Sequence, residues 1–221
     1  MQNYLSVHYG AIAKPYTEYP VKLCQYLVNR FGLAAGSTVL DVGCGRGEFL
    51  RGFKHVGLLP RGLDIIHFPE KYLEDFEVQI ANFEQERFPF ADESFDVIFS
   101  KSVIEHLHSP ENFMNECRRV LKPGGRIIIM TPDWQSHRYV FYGDHTHVQP
   151  YIKAGLARAL EMYGFKSAQA ELFYQLPVVW QWPAFKAILK PLRIIFPVKK
   201  SGGNNFWRWS RELMILGTAV K

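Results

Sequence analysis

Three glycines on alternate positions follow a short apolar run that contains an acid: residues Val39 to Leu50 read V-L-D-V-G-C-G-R-G-E-F-L. Val39, Leu40 and Val42 have the β-branched and aliphatic character of a buried parallel strand. Gly43, Gly45 and Gly47 mark a turn too tight for side chains, so a ligand can approach the backbone there. A second acid, Asp64, lies in the next apolar run, R-G-L-D-I-I, 23 positions after Asp41. That is near the separation at which a carboxylate, with two acceptor oxygens, meets the diol of a ribose. Farther along stand three imidazoles, His106 in I-E-H-L-H and His145 and His147 in D-H-T-H. They are the candidates for a general base, and Asp144 is placed to orient His145 or His147 and raise its basicity. The D-H-T-H run has no H-x-x-x-H spacing and no nearby cysteine, so no metal site is expected.

A dinucleotide fingerprint, G-x-G-x-x-G, would put its third glycine at position 48, where this chain has Glu48. A pyrophosphate needs a bare helix N-terminus, and Glu48 supplies an anion instead. The D-x-G-x-G-x-G form resembles the S-adenosylmethionine (SAM) loop of class I methyltransferases, whose ligand carries an amino acid and a sulfonium in place of a diphosphate. The resemblance runs from about Leu33 to Pro132 and includes E-C-R-R-V-L-K-P-G-G-R-I-I-I. It implies SAM as cofactor, S-adenosylhomocysteine as product, and a site formed by Asp41, Gly43, Cys44, Gly45, Gly47, Asp64, Ile65, Asn82, Phe83, Ser100 and Lys101. Asn82 stands where the family commonly has Asp for the adenine amine, and an amide carbonyl can accept the same hydrogen bond. Phe83 is placed to flank the adenine ring, Ser100 and Lys101 border the methionine part, and Asp41 orients the glycine loop. Methyl transfer from SAM is an in-line displacement that needs alignment more than a nucleophile or metal. A base is needed only where the acceptor must lose a proton.

The elements that must position these residues alternate. A helix is expected from Pro20 to Phe31, ending at Gly32, and a short one after the glycine turn. Strands are expected at 38–42, 61–66, 76–80, 94–100, 126–131 and 165–173, with a last apolar strand reaching the terminus. Helices are expected at 69–76, 110–121 and 150–163, and K-P-G-G (122–125) reads as a turn. This order, with the resemblance, gives an α/β fold: a Rossmann-like, doubly wound, mostly parallel seven-stranded sheet with an antiparallel C-terminal strand. We read residues 1–221 as one methyltransferase domain, with 1–32 as an N-terminal helical lid and 133–149 and 175–210 as substrate-side insertions.

Hydrophobic residues make up 48% of the chain and aromatics 15%, which excludes a disordered protein. The three cysteines, Cys24, Cys44 and Cys117, form no C-x-x-C pair, so neither a disulfide framework nor a zinc ribbon is indicated. With no basic leader and apolar stretch at the N-terminus, a cytoplasmic location is expected. Leu172 to Lys221 hold eight basic residues against one acid, a local +7 that leaves −2 for the rest of a chain whose total is +5. That concentration disfavours a general nucleic-acid surface, and an amine-methylating N/D-P-P-Y/F motif is absent at S-K-S-V. Within the tail, Lys186, Lys190 and Arg193 share one helical face opposite Phe185, Ile188, Leu189, Leu192, Ile195 and Phe196. Residues 180–210 are therefore a candidate peripheral contact with the inner membrane face or a cap on the pocket, and Pro183, Pro191 and Pro197 prevent them from spanning a bilayer. D-H-T-H-V-Q-P-Y, L-P-V-V-W-Q-W-P and S-R-E-L-M-I-L-G-T-A-V-K look similar to bacterial methyltransferases of polysaccharide or glycolipid assembly. This favours a small-molecule, sugar or lipid-linked glycan acceptor methylated at oxygen. Small-molecule N-methylation and a non-catalytic SAM-fold adaptor are the alternatives.

Overall fold

The computed structural model describes residues 16–68, 72–195 and 212–221, without the side chains of 190 and 192–195. Seven strands form one sheet: β1 (Thr38–Val42), β2 (Leu59–Asp64), β3 (Val78–Ile80), β4 (Phe95–Lys101), β5 (Leu121–Pro132), β6 (Lys166–Phe173) and β7 (Met214–Val220). Their order is β3-β2-β1-β4-β5-β7-β6, and β1 to β5 pair in parallel while β7 runs antiparallel to both neighbours. The strand order reverses between β1 and β4, which opens a crevice at their carboxyl ends.

Both faces of the sheet are covered, which is why its central strands read as continuous apolar runs. Successive strand side chains point to opposite faces. Leu40, Ile98, Ile127 and Ile129 pack with Phe113, Met114 and Cys117 of α3 (Glu111–Val120) and Leu156 and Leu160 of α5 (Lys153–Met162). Val39, Val97, Phe99, Ile128 and Met130 pack with Leu23, Cys24 and Leu27 of α1 (Tyr19–Phe31) and Phe53 of α2 (Glu48–His55). Helix α1 has Pro20 in its first turn and ends at Gly32 with φ 61°. It is thus a layer of the core, and its N-terminal end reaches the crevice through Thr17, Tyr19 and Pro20. Residues 1–15 of the expected lid lie outside the described residues.

The K-P-G-G segment, expected as a turn, is carried inside β5. The pairing steps from Phe95–Leu121 to Val97–Arg126, so the extra residues bulge from the ladder, with Gly124 at φ 76°. The neighbouring parallel strand holds both ends in the sheet, so the turn does not interrupt it. The α-helix expected over 69–76 is not formed at 72–76, where a 3-10 residue, Tyr72, leads into turns closed by Phe76 N–H donating to the Leu73 carbonyl at 2.9 Å. Its first residues, 69–71, lie outside the described residues.

After β5 come α4 (Trp134–His137) and a 3-10 turn at Phe141–Gly143. The segment is closed at its base by a bridge between Asp133 and Tyr151 and by Trp134 N–H donating to the Tyr151 carbonyl at 2.9 Å. After β6, helices α6 (Pro177–Gln181) and α7 (Phe185–Ile195) pack Val179 and Leu189 against Tyr174, Leu176 and Leu213. Trp180 stacks on Phe173 and donates its indole N–H to the Tyr174 carbonyl at 2.7 Å. Trp182, Phe185 and Ile188 remain 65%, 40% and 59% exposed. Leu189, expected on the same apolar face, is instead buried. The rest of the expected basic tail, 196–211, lies outside the described residues. Among the described residues no helix is long and apolar enough to cross a membrane.

Candidate functional site

A cavity of about 1380 Å³ opens where the strand order reverses. One wall is the glycine turn between β1 and α2. Gly43, Gly45 and Gly47 have φ of 84°, 53° and 75°, a region that disfavours side chains. At Gly43 an added Cβ would also lie 2.2 Å from Val103 Cγ2, so the loop packs directly on the segment after β4. Glu48 sits in the first turn of α2 and pairs with the buried guanidinium of Arg46. The helix start is thereby supplied with a carboxylate. Tyr16 stacks near the Arg46 and Arg51 guanidiniums and donates its hydroxyl to the Arg46 carbonyl at 3.3 Å, covering the turn from outside.

Asp64 ends β2 and is tied to that turn. One carboxylate oxygen accepts from Gly45 N–H at 2.8 Å, the other from Ile65 and Ile66 N–H at 2.8 and 3.1 Å. Burial holds its carboxyl above the ordinary range despite these donors. Asp41 is buried deeper still. Burial, with the Asp64 carboxyl second, pushes it well above the carboxylate range, while Lys101 acts the other way. Its Oδ2 has no hydrogen-bond partner.

Asp41, Gly43, Cys44, Gly45, Asp64, Ile65, Asn82, Phe83 and Lys101 all line the cavity, together with His106, His145 and His147. Gly47 lies behind it, starting α2, and Ser100 faces away, donating its hydroxyl to the Val42 carbonyl at 2.9 Å to tie β4 to β1. Asn82 Oδ1 accepts from Glu84 N–H at 3.0 Å, leaving one lone pair for an adenine amine. Phe83 meets the cavity but also packs edge-on against Phe88 and Phe113.

The imidazoles stand on the side of the cavity formed by the turn after β4 and by residues 133–149. His106 Nδ1 lies 3.2 Å from the Thr146 carbonyl and 2.9 Å from Thr146 Oγ1, whose hydroxyl donates to Asp144 Oδ1 at 2.6 Å. The carbonyl can only accept, so Nδ1 carries a proton, and in the neutral ring Nε2 holds the lone pair. His147 Nδ1 donates to the Phe141 carbonyl at 2.7 Å, which fixes the same tautomer. The rings are 4.7 Å apart. Asp144 is thus linked to His106 through Thr146, whereas the expectation had it orienting its neighbours. His145 is exposed at the rim.

Glu105 was not among the sequence candidates. It is fully buried beside His106, accepts from Thr131 Oγ1 at 2.9 Å, and burial pushes its carboxyl up to about 7. Its carbonyl accepts from Val148 and Gln149 N–H at 2.9 and 3.0 Å, pinning the end of the 133–149 segment to the turn after β4. Glu212, also buried at the cavity, was missed as well. Both are single acids in apolar runs, with no spacing signal to mark them.

These features fit SAM. The unpartnered Asp41 Oδ2 and the Asp64 carboxylate suit a ligand bearing an ammonium, a sulfonium and a ribose diol, and would repel a diphosphate. The bare backbone at Gly43 and Gly45 admits it closely.

Known proteins agree. The model of a methyltransferase domain family matches residues 16–170. An uncharacterized methyltransferase of Mycobacterium sp. (strain KMS) is 32% identical over 160 residues, covering 70% of this chain and 60% of that protein. A ubiquinone biosynthesis O-methyltransferase of Alkalilimnicola ehrlichii is 29% identical over 129 residues, covering 55% of this chain and 52% of its own length. The chain thus spans only about half to three fifths of these relatives. A SAM-dependent methyltransferase structure from Archaeoglobus fulgidus superposes with a TM-score of 0.66 at 21% identity, covering 100% of this chain and 99% of that one, and shows the same fold. The family match spans well over half the chain, and with the glycine turn, Asp64 and the sheet order it places the chain in the class I SAM-dependent methyltransferases.

Proposed function

We propose that this protein transfers the methyl group of SAM to a hydroxyl of a small-molecule, sugar or lipid-linked glycan acceptor. The observation that carries the reading is the pair of imidazoles of fixed tautomer, His106 and His147, lining the same cavity as the glycine turn and Asp64. SAM, when bound, supplies a methyl group on a positively charged sulfur with a neutral thioether as leaving group. Asp64 is placed to accept from ribose hydroxyls, Asp41 from an ammonium, and Asn82 from the adenine amine. His106 and His147 present Nε2 lone pairs to an acceptor hydroxyl, and Asp144, through Thr146, stabilises positive charge that develops on His106. The oxygen as acceptor atom is also supported by the O-methyltransferase relative.

The test is turnover of SAM with a panel of hydroxylated acceptors, beginning with glycans and lipid-linked sugars. His106→Ala is expected to lower turnover about 10²-fold while leaving S-adenosylhomocysteine affinity within about twofold. Wild-type turnover in that variant would remove His106 from the chemistry. Consumption of SAM with amines alone would move the reading to N-methylation, and cofactor binding with no turnover on any acceptor would favour an adaptor.

The exposed Trp182, Phe185 and Ile188, with Lys186 beside them, support a peripheral contact with anionic lipid, as a lipid-linked acceptor requires. Sedimentation with anionic vesicles at low salt is expected, weakening in high salt and in Trp182→Ser/Lys186→Glu. A protein that stays in the supernatant at low salt would leave α6 and α7 as a cap alone.

A further inference from the structure

Glu105 gives the imidazole pair a capacity that spacing does not reveal. One ligand atom each of Glu105, His106 and His147 lie within 4.8 Å of one another. Glu105 and His106 come from the 3-10 turn Ile104–His106, and His147 from the far end of the 133–149 segment. The Glu105 Oε2 accepts from Thr131, but its Oε1, in a side chain with no exposure, has no hydrogen-bond partner. Both imidazoles commit Nδ1–H, to Thr146 and to the Phe141 carbonyl, so in the neutral rings Nε2 is the nitrogen with a lone pair to give a cation. The unpartnered Glu105 Oε1 is a buried acceptor that a cation would satisfy. Each prospective ligand residue also makes a hydrogen bond that orients its side chain, as metal-binding histidines and carboxylates do.

We propose that Glu105, His106 and His147 form a three-point site for a divalent transition-metal cation on the acceptor side of the cavity. This rests on the reading that SAM and an acceptor hydroxyl meet in this cavity, and it makes the imidazoles ligands in place of bases. Two imidazoles and one carboxylate suit zinc or cobalt, whereas magnesium and calcium prefer oxygen ligands. Three protein ligands leave coordination positions open for an acceptor oxygen. A hydroxyl bound there loses its proton to water near neutral pH. The alkoxide oxygen then forms a bond to the methyl carbon as the carbon–sulfur bond breaks, its electron pair staying on sulfur, which leaves as a neutral thioether. The imidazoles are then ligands, and their fixed tautomers serve to aim Nε2.

The experiment titrates the full-length protein, stripped with chelator, with Co²⁺ followed by visible absorption. Zn²⁺ is the competitor and Mg²⁺ the control, and S-adenosylhomocysteine affinity is measured calorimetrically in parallel. The expected result is saturation at one equivalent, d–d bands without a thiolate charge-transfer band, displacement by Zn²⁺ and none by Mg²⁺. Glu105→Gln and His147→Ala should weaken Co²⁺ about 100-fold or more, while the exposed neighbour variant His108→Ala binds as wild type. Retained S-adenosylhomocysteine affinity in Glu105→Gln and His147→Ala shows that both are folded. Unsaturable Co²⁺ binding, a thiolate band, or equal affinity in the variants would overturn the metal site. Chelator-stripped protein that turns over SAM at the full rate would also overturn it while leaving methyl transfer standing. Failure to bind S-adenosylhomocysteine would sink methyl transfer instead.

Discussion

Asp64→Ala loses S-adenosylhomocysteine binding by at least about 10²-fold, and a calorimetric titration reads it directly. Two effects combine. On the proposed reading the carboxylate receives the ribose diol, and hydrogen bonds to a charged acceptor are worth about 1.5–3 kcal/mol each. It also accepts from the N–H groups of Gly45, Ile65 and Ile66, so its removal leaves three donors of the cofactor wall without their acceptor. Asp64→Asn separates the two contributions. An amide retains one acceptor oxygen for the backbone but presents an NH₂ to the other donor, so it is expected to fold with wild-type circular dichroism and still lose most of the affinity. If Asp64→Asn bound the ligand as well as wild type, the acid would be a support for the loop with no part in cofactor recognition.

Gly43→Ala is the second large effect, and it acts on both halves of the cavity. At φ 84° a side chain is strained, and the new Cβ would meet Val103 Cγ2 at 2.2 Å. A left-handed conformation costs roughly 1–2 kcal/mol and overpacking roughly 1–3 kcal/mol. The sum of about 3 kcal/mol corresponds to a Tm lower by roughly 6–12 °C in a domain of this size. Val103 begins the turn that carries Glu105 and His106, so the same displacement reaches the imidazoles. Turnover should therefore fall further than cofactor affinity does. The double variant Gly43→Ala/Val103→Ala removes the collision but not the backbone strain. Its stability loss should be smaller than the sum of the two single losses by about 1 kcal/mol or more. Strict additivity would show that the contact carries no energy.

The glycine-turn wall of the cavity was legible because its determinants are local. A strand, a glycine turn and an acid at the next strand's end lie within a short stretch, and each advertises its backbone geometry by residue type. The parallel order followed from the alternation of runs, and the antiparallel last strand from the resemblance. The acceptor side was legible only in part. His106 and His147 were named singly, but their convergence with Glu105 joins residues that are far apart in sequence and pinned by main-chain hydrogen bonds, which no side-chain pattern reports. Ser100 shows the converse limit. Its position at a strand end was legible, but the two-residue alternation turned it from the cavity toward the Val42 carbonyl. K-P-G-G carried a true turn signal, yet the sheet absorbed it as a bulge because β4 and β7 hold β5 on both sides.

The 133–149 segment is held at both ends by its backbone. It is fastened by the Asp133–Tyr151 bridge and by two backbone N–H groups on the Glu105 carbonyl, so its attachment depends little on which side chains it carries. Between those fastenings Tyr139, Tyr142 and His145 are exposed at its surface. Substitutions at the exposed Tyr139, Tyr142 and His145 should therefore alter the rim of the cavity without loosening either fastening.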